Sequence, residues 1–587
     1  MGTVDTIEMT TRPEIRLPSE ERERYLNSNG ITETTPRGSS QLGPLTVVCL
    51  VLNRTIGSGI FVTPALVLSG TGTVGASLFL WAAGGLVATC GLLVWLELGL
   101  SLPLLPTGDD RALRAVPRSG GEKNYLEFIY KSTITDRPRY LVKCMYGVAF
   151  VLLGNLTGNA IALGIYVMNA AGQKDPAKGP VTAIAIAALT AVVLLHIITR
   201  RGSIIINNCF AFLKVAILLV IFIIGMIKAG GNQLNGAPKA TYNFDSDKSF
   251  STARHDLSSY TNSLLYIVYA YSGFEQPFYV LAEIKHPRKT FPRYTLLAMA
   301  IVTVLFVLVN IAYFCAVPSN LPDIAETRNM AVVFFGQVFG DEVAKRVMAG
   351  VIAVSIFGNI LVMTFTASKV KQEIAKEGIL PFSLTFATSH TTLWAKWSNR
   401  NKKLADDEVL EQTPMAALGL HWITSIILVL ATMGLKPAVA YSFLVSLYSY
   451  SIVIMIGFFT SAGLLYLKFR KGRKWQPNFR PRGGPIYAAV YGATCLFMLF
   501  AAFDPPDEAS PYGYAATGIQ WYLVPAIGLS VPFWGVLWYG CLRAYMAIRG
   551  MVLLIERNPT TERDDVVGYE DQYIMVSEHI TQDWHWT

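Results

Sequence analysis

Twelve stretches of about 20 or more predominantly apolar residues recur along this chain of 587 residues. They lie near 44–69, 74–103, 141–170, 180–199, 204–229, 259–281, 294–317, 347–370, 414–433, 439–466, 485–503 and 521–548. A helix of about 20 such residues crosses the hydrocarbon core of a bilayer. The pattern therefore predicts an all-α integral membrane protein with twelve transmembrane helices over 44–549, between an N-terminal tail (1–43) and a C-terminal tail (550–587). A string of soluble domains would need charged surface around every core, about a quarter of all residues, whereas 15% of this chain is charged. The first 43 residues hold no apolar core, so no cleaved signal peptide is expected. The acidic, polar composition after Gly550 predicts a largely disordered tail.

Lys and Arg in the loops set the orientation. With the N-terminus inside, 36 of the 49 fall in cytoplasmic segments and 9 in outside loops. Both tails are thus expected in the cytoplasm, with the positive charge facing the anionic inner leaflet rather than nucleic acid. The acceptor sequons at Asn53 and Asn155 fall inside spans, so N-glycosylation is not expected. All seven Cys lie in or beside apolar runs and none has metal-ligand spacing, which reads as small core side chains and predicts neither a disulfide scaffold nor a metal site. No nucleotide, hydrolase or metalloprotease motif is present, so an enzyme is not expected and no cofactor is implied.

Two spans are interrupted. The first reads Asn53-Arg54-Thr55-Ile56-Gly57-Ser58-Gly59-Ile60-Phe61, with Pro64 following; the sixth reads Tyr269-Ala270-Tyr271-Ser272-Gly273-Phe274-Glu275-Gln276-Pro277. A lone Gly in a span reads as close helix packing. Interruptions in spans one and six are instead the pattern of two inverted five-helix repeats with a binding site between them. Unwinding frees backbone N–H and C=O groups that lipid cannot satisfy, so they must line a cavity. A half-helix starting near Gly59 points its positive end at the gap and suits a carboxylate. Freed carbonyls of span six suit an ammonium. Together they favour a zwitterionic amino acid.

The segments NRTIGSGIFVTP (53–64), VPRSGGEKNYLEF (116–128) and AYSGFEQPFYVLAEIKHPRKTFPR (270–293) resemble the amino acid–polyamine–organocation transporters. Within that superfamily the chain is most similar to the fungal high-affinity methionine permeases, kin of the L-type amino-acid transporters; Asn53-Arg54 and the EKNYLE run carry the narrower likeness. The resemblance implies the leucine-transporter-type fold, five plus five helices in inverted repeat with broken helices 1 and 6 and two more helices at the end. It implies that Ile56, Gly57, Ser58 and Gly59 bind the substrate carboxylate, and that the carbonyls of Tyr269, Ala270 and Tyr271 receive the α-ammonium, with Ser272 beside them. Tyr269 is the implied lid; Phe274 and Glu275 face the side-chain pocket. The segment LSLPLLPTGDDRALRA is longer than in most relatives and is expected to stay clear of the site. With no Cys in an outside loop, no disulfide-linked glycoprotein partner is expected.

Ionisable groups within spans are functional candidates. Lys214 sits in FAFLKVAILL, where proton-using family members carry a Lys in place of sodium; partners are expected from the carbonyls near Ile56 and Gly57 and from Ser355 and Asn359. Glu275 is the rival proton carrier. Arg54 is expected to pair with carbonyls or an acid, Glu97 to bond the PRSGGE loop, and His196 to be structural. The expected function is proton-driven import of neutral L-amino acids, methionine preferred, across the plasma membrane. A broader exchanger and a non-transporting sensor on the same fold are the alternatives, and the short tails weigh against the sensor. Neither tail contains a Lys, so ubiquitin is expected on inner loops, at Lys396, Lys402, Lys403, Lys468, Lys471 and Lys474, with an adaptor recruited by acidic segments such as Ser19–Glu23 and Asp564–Asp571.

Overall fold

The computed structural model describes residues 30–108, 110–130, 140–231, 240–251, 253–319, 324, 329–340, 342–400, 410–470, 475–506, 514, 518–564 and 572–586. Lys402, Lys403, Lys471, Lys474, Ser19–Glu23 and most of Asp564–Asp571 lie outside the described residues.

The chain starts as a short strand, β1 (Gly30–Thr34), and then enters the helices. The first predicted span is split into α1 (Pro44–Thr55) and α2 (Ser58–Thr71), bent by 41°. After α3 (Val74–Gly99) the long 104–115 segment makes a hairpin, β2 (Leu104–Thr107) and β3 (Ala112–Ala115), followed by the loop helix α4 (Glu122–Ile129). There follow α5 (Tyr140–Leu153), α6 (Thr157–Ala170), α7 (Lys178–Ile198), α8 (Arg200–Ala229) and α9 (Leu257–Tyr271). A single turn, α10 (Gln276–Tyr279), continues the sixth stretch, and then come α11 (Pro287–Ala316), α12 (Met330–Phe339) and α13 (Glu342–Ala375). A short helix, α14 (Ser383–Ala387), precedes the strand β4 (His390–Thr391), and a second, α15 (Leu393–Ser398), lies between β4 and its antiparallel partner β5 (Gln412–Thr413). The last helices are α16 (Met415–Ala431), α17 (Pro437–Phe469, with a π-turn at Ser449–Met455), α18 (Ile486–Ala501) and α19 (Leu523–Arg549). The chain closes in β6 (Met551–Arg563) and β7 (Tyr573–Trp586).

Each of the twelve apolar stretches is helical. Among the described residues eight helices are long and apolar enough to cross a membrane, and the bent pair α1–α2 makes a ninth. The three other stretches hold shorter helices, α9, α16 and α18, of 15, 17 and 16 residues. Local chemistry sets many ends. Thr199 caps α8 by accepting from Gly202 N at 3.0 Å, and Asp256 caps α9 by accepting from Ser259 N at 3.0 Å, each satisfying an orphan donor of the first turn. Trp81, Tyr271 and Phe306 form one aromatic cluster between α3, α9 and α11, with centroids 5.1–5.8 Å apart.

The C-terminal tail differs from its expectation. β6 and β7 pair antiparallel, β1 adds to the other edge of β7, and the sheet order is β1-β7-β6. The described parts of the two tails that form this sheet are therefore on one face of the protein. The charges that made the tail read as disordered are consumed by the helix ends beneath it. Arg557 on β6 reaches Glu373 and Glu377 of the α13 end and Glu578 on β7; Glu33 on β1 accepts from Ser389 N at 2.6 Å and Gln372 Nε2 at 3.0 Å. Leu553, Met575 and Ile580 are buried under the sheet. Glu97 also differs: it pairs with Lys468 and takes hydrogen bonds from Trp475 Nε1 and the Tyr487 hydroxyl instead of bonding the PRSGGE loop. Lys468 is therefore engaged rather than open for modification, while Lys396 is exposed. Two of the seven Cys, Cys209 and Cys541, are exposed rather than in the core.

Candidate functional site

The first interruption is two residues of non-helical backbone. Ile56 has φ −79°, ψ 89°, and Gly57 has φ −136°, ψ −148°. The second centres on Gly273, whose φ of +145° is open to glycine but strained for any L side chain. The two breaks touch: a Cβ on Gly273 would lie 2.4 Å from Thr55 Oγ1 and 3.0 Å from Thr55 N. A Cβ on Gly59 would lie 2.8 Å from the Ala270 Cα. Gly59 thus lets α2 and α9 cross with backbones in contact and Gly273 lets the second break pass the end of α1, so close packing and the broken-helix site are one geometry.

Ser58 and Tyr269 are brought together by a residue the sequence reading passed over. Asn159 of α6 accepts at Oδ1 from the Tyr269 hydroxyl at 2.5 Å and from Ser58 Oγ at 3.3 Å. Its Nδ2, with Arg54 Nε and Thr55 Oγ1, is buried without a partner among the described residues. Buried orphans of this kind are costly unless a polar group meets them, and here they cluster at the two breaks. The signal for Asn159 was its polarity within the apolar TGNAIALGIY run.

The remaining site residues divide. Ser272 Oγ donates to the Tyr269 carbonyl at 2.7 Å and accepts from Arg54 Nη2 at 3.1 Å, so one of the three carbonyls expected to meet an ammonium already has a donor. Arg54 lies 5.8 Å from the ring centroids of both Tyr269 and Tyr448, rather than against an acid. The Tyr271 side chain points away, its hydroxyl bonding the Trp81 carbonyl at 3.0 Å. Glu275 folds back on its own turn, accepting from Gly273 N at 2.8 Å and Gln276 Nε2 at 3.0 Å. Phe274 packs edge-on against Trp95 of α3, centroids 5.6 Å apart. All ten residues from Ile56–Gly59, Tyr269–Ser272 and Phe274–Glu275 are buried.

Lys214 of α8 is fully buried, and its Nζ donates to the Asn53 carbonyl at 2.6 Å and to Asn359 Oδ1 at 2.9 Å. Asn359 is as expected; the carbonyl is that of Asn53, one turn before Ile56. The Ile56 carbonyl instead accepts from Ser355 Oγ at 3.3 Å. Asn53 Nδ2 continues the network to the Gly358 carbonyl (3.0 Å) and Asn207 Oδ1 (2.7 Å). One ammonium thus ties α1, α8 and α13 together beside the first break. His196 is a packing residue, bonded to Ser203 Oγ and the Leu361 carbonyl.

The amino acid permease family profile matches residues 42–531. The chain is 28% identical over 506 residues to the high-affinity methionine permease of Saccharomyces cerevisiae, covering 86% of this chain and 79% of that one. It is 30% identical over 355 residues to the low-affinity methionine permease of the same organism, 60% of each chain, and 26% identical to the human cystine/glutamate transporter over 83% of this chain and 85% of that one.

Proposed function

We propose, from the premise that this chain belongs to the amino acid permease family, that it imports neutral L-amino acids, methionine first among them, by proton symport across the plasma membrane. Twelve spans in a five-plus-five inverted repeat plus two, with both tails in the cytoplasm, form the permease domain over 44–549. The observation that carries the reading is the contact of the two broken helices at Thr55 and Gly273, ringed by buried polar atoms of Asn159, Arg54 and Thr55 that have no protein partner among the described residues. The N-terminal end of α2, with Ser58, receives the substrate carboxylate; the Ala270 and Tyr271 carbonyls receive the ammonium. Tyr269 covers the substrate, and Phe274 and Glu275 border its side chain, where aromatic walls suit a polarizable thioether.

Lys214 supplies the coupling. A charged Nζ braces α1, α8 and α13; loss of its proton releases the brace and biases the transporter toward the inward state. Regulation by ubiquitin on inner loops, through an adaptor at the tails, and the absence of a disulfide-linked glycoprotein partner complete the proposal. The short tails weigh against the sensor, and uptake decides.

The experiment is radiolabelled methionine uptake in sodium-free buffer, with each proteinogenic amino acid as competitor. Uptake should rise as external pH falls from about 7 to 5. Gly59→Val should bind no substrate while reaching the surface, since a branched side chain meets the Ala270 backbone and fills the carboxylate's space. A sodium requirement overturns the ion assignment, pH-independent exchange favours the exchanger, and substrate binding without transport favours the sensor.

A further inference from the structure

The segment Pro117-Arg118-Ser119-Gly120-Gly121-Glu122 ends in a carboxylate that the transport reading does not use. Its glycines have φ of +105° and +54°, a region L side chains rarely adopt. A Cβ on Gly121 would lie 2.8 Å from the Tyr279 ring, and Gly120 N donates to the Tyr279 carbonyl at 3.2 Å. The loop therefore passes directly against α10 and delivers Glu122, 4% exposed, at the start of α4. Its Oε1 accepts from Trp95 Nε1 at 2.8 Å and from the Tyr279 hydroxyl at 3.2 Å; its Oε2 accepts from the Tyr146 hydroxyl at 3.1 Å. One carboxyl thus ties α4 to α3, α5 and α10. Trp95 is also the ring that packs on Phe274, so contact runs unbroken from the second break to Glu122.

Among the described residues no cation pairs with this carboxylate. Lys123, next to it in the chain, and Lys143 of α5 both pair with Glu377, and Lys143 also with Glu127 at 3.0 Å. Arg557, behind them, is held by Glu377, Glu373 and Glu578. The other groups within electrostatic reach are Tyr125 of its own helix, Tyr448 of α17, Tyr491 of α18, and Glu275. Two carboxylates therefore face one floor of tyrosines. Donor chemistry places a proton there. An indole N–H only donates, so Oε1 must remain an acceptor; a tyrosine hydroxyl can donate or accept, so a proton on Oε2 turns Tyr146 into the acceptor and breaks no contact. Both protonation states are hydrogen-bonded, but only the neutral one avoids a buried charge without a counter-ion.

We propose that Glu122 carries a proton that holds α4 and α10 closed against α3 and α5 as a gate on the side read above as cytoplasmic, and that releasing this proton from Oε2 to cytoplasmic water opens it. The inference rests on the transport reading above and adds to it a second proton site on the exit side. Burial, with the charge of Glu275, pushes the carboxyl up to about 7 in the shut gate, against an ordinary value of 4.5. The shut form thus binds the proton more tightly than an open, hydrated one, and raising the pH through neutrality disfavours it. Gln in place of Glu122 reproduces the protonated form, a carbonyl toward Trp95 and Tyr279 and a donor toward Tyr146.

The test uses inside-out vesicles, where the bath sets the cytoplasmic pH, and follows labelled methionine entering from that face. Parent rate should rise about tenfold from pH 6 to 8, as the ionised fraction goes from about a tenth to nine tenths; Glu122→Gln should be slow and flat across that range. A Gln variant with the parental profile overturns the inference, as does a transporting parent whose rate ignores bath pH. A parent that moves no amino acid fails the transport reading instead. If Glu122→Gln is not recovered folded, Tyr146→Phe decides: loss of the Oε2 partner should shift the midpoint, and an unshifted midpoint overturns the assignment.

Discussion

Lys214 and Arg557 are both buried cations, and the protein holds them in opposite ways. Lys214, inside the helix bundle, meets only neutral oxygens: the Asn53 carbonyl at 2.6 Å and Asn359 Oδ1 at 2.9 Å. Arg557, in the sheet that covers the helix ends, meets three carboxylates: Glu373 at 2.8 Å, Glu377 at 2.5 Å and Glu578 at 2.6 Å. Lys123, Lys143, Lys376 and Arg118 complete that second cluster. A cation held by dipoles can lose its proton without stranding an opposite charge. A cation held by three carboxylates cannot leave without leaving them buried and mutually repelling. The first arrangement suits a switch; the second suits a fixed joint between the tails and the α13 end.

The comparison breaks most visibly at the joint. Arg557→Ala should cost about 3–5 kcal/mol, the usual consequence of removing one partner from a buried ionic cluster. Thermal unfolding in detergent reads it directly, and a melting point within a degree of the parent would show that the sheet does not bear on stability. Lys214→Met comes next. Two buried oxygens lose their donor, at about 1–3 kcal/mol, yet no opposite charge is stranded, so the stability loss should be clearly smaller than for Arg557→Ala. Transport should change more than stability: exchange persists while accumulation against a gradient is lost, measured as steady-state uptake with and without a pH gradient.

Tyr269→Phe sharpens the picture of the site itself. It removes one hydroxyl from Asn159 and keeps the ring, worth about 0.5–1.5 kcal/mol, so the apparent KM should rise several-fold at most. Tyr269→Ala, which removes the cover, should do more, and equal effects would place the lid elsewhere. The smallest expected change is in the joint's response to pH. Arg557 and its neighbours hold the Glu578 carboxyl down at about 2, against 4.5 ordinarily, despite its burial. A depressed acid contributes stability that is present above the ordinary value and lost as pH falls from there through about 2. Protease protection of the C-terminal tail should therefore be constant between about pH 5 and 8 and decline only in stronger acid. Cleavage that changes across neutrality would contradict a fixed joint.

What the sequence determined by itself was local in origin. Apolar stretches long enough for a bilayer each proved helical, while α4, α12, α14 and α15 fall outside them, because burying backbone polar groups in lipid forces helix wherever the run is long. Gly57, Gly59 and Gly273 mark the breaks, because glycine is what permits them. Lys214 stood out because a lone ammonium in FAFLKVAILL needs a purpose. Tertiary structure alone decided which oxygens answer it. The choice of the Asn53 carbonyl over that of Ile56 depends on where α8 and α13 cross α1, and no local pattern encodes that crossing. Asn159 reached the site in the same way, from a helix remote in sequence from the residues it joins. The tail sheet and Glu122 are the strongest cases. The tail's acidic, polar composition reads as disorder in one dimension because the partners of its charges, Glu373, Glu377 and Arg118, lie more than a hundred residues away. Glu122 carried no reading of its own in the sequence, because only the fold closes Trp95, Tyr146 and Tyr279 around it. Burial and pairing of polar groups are long-range properties, set by which elements meet and not by the residues on either side.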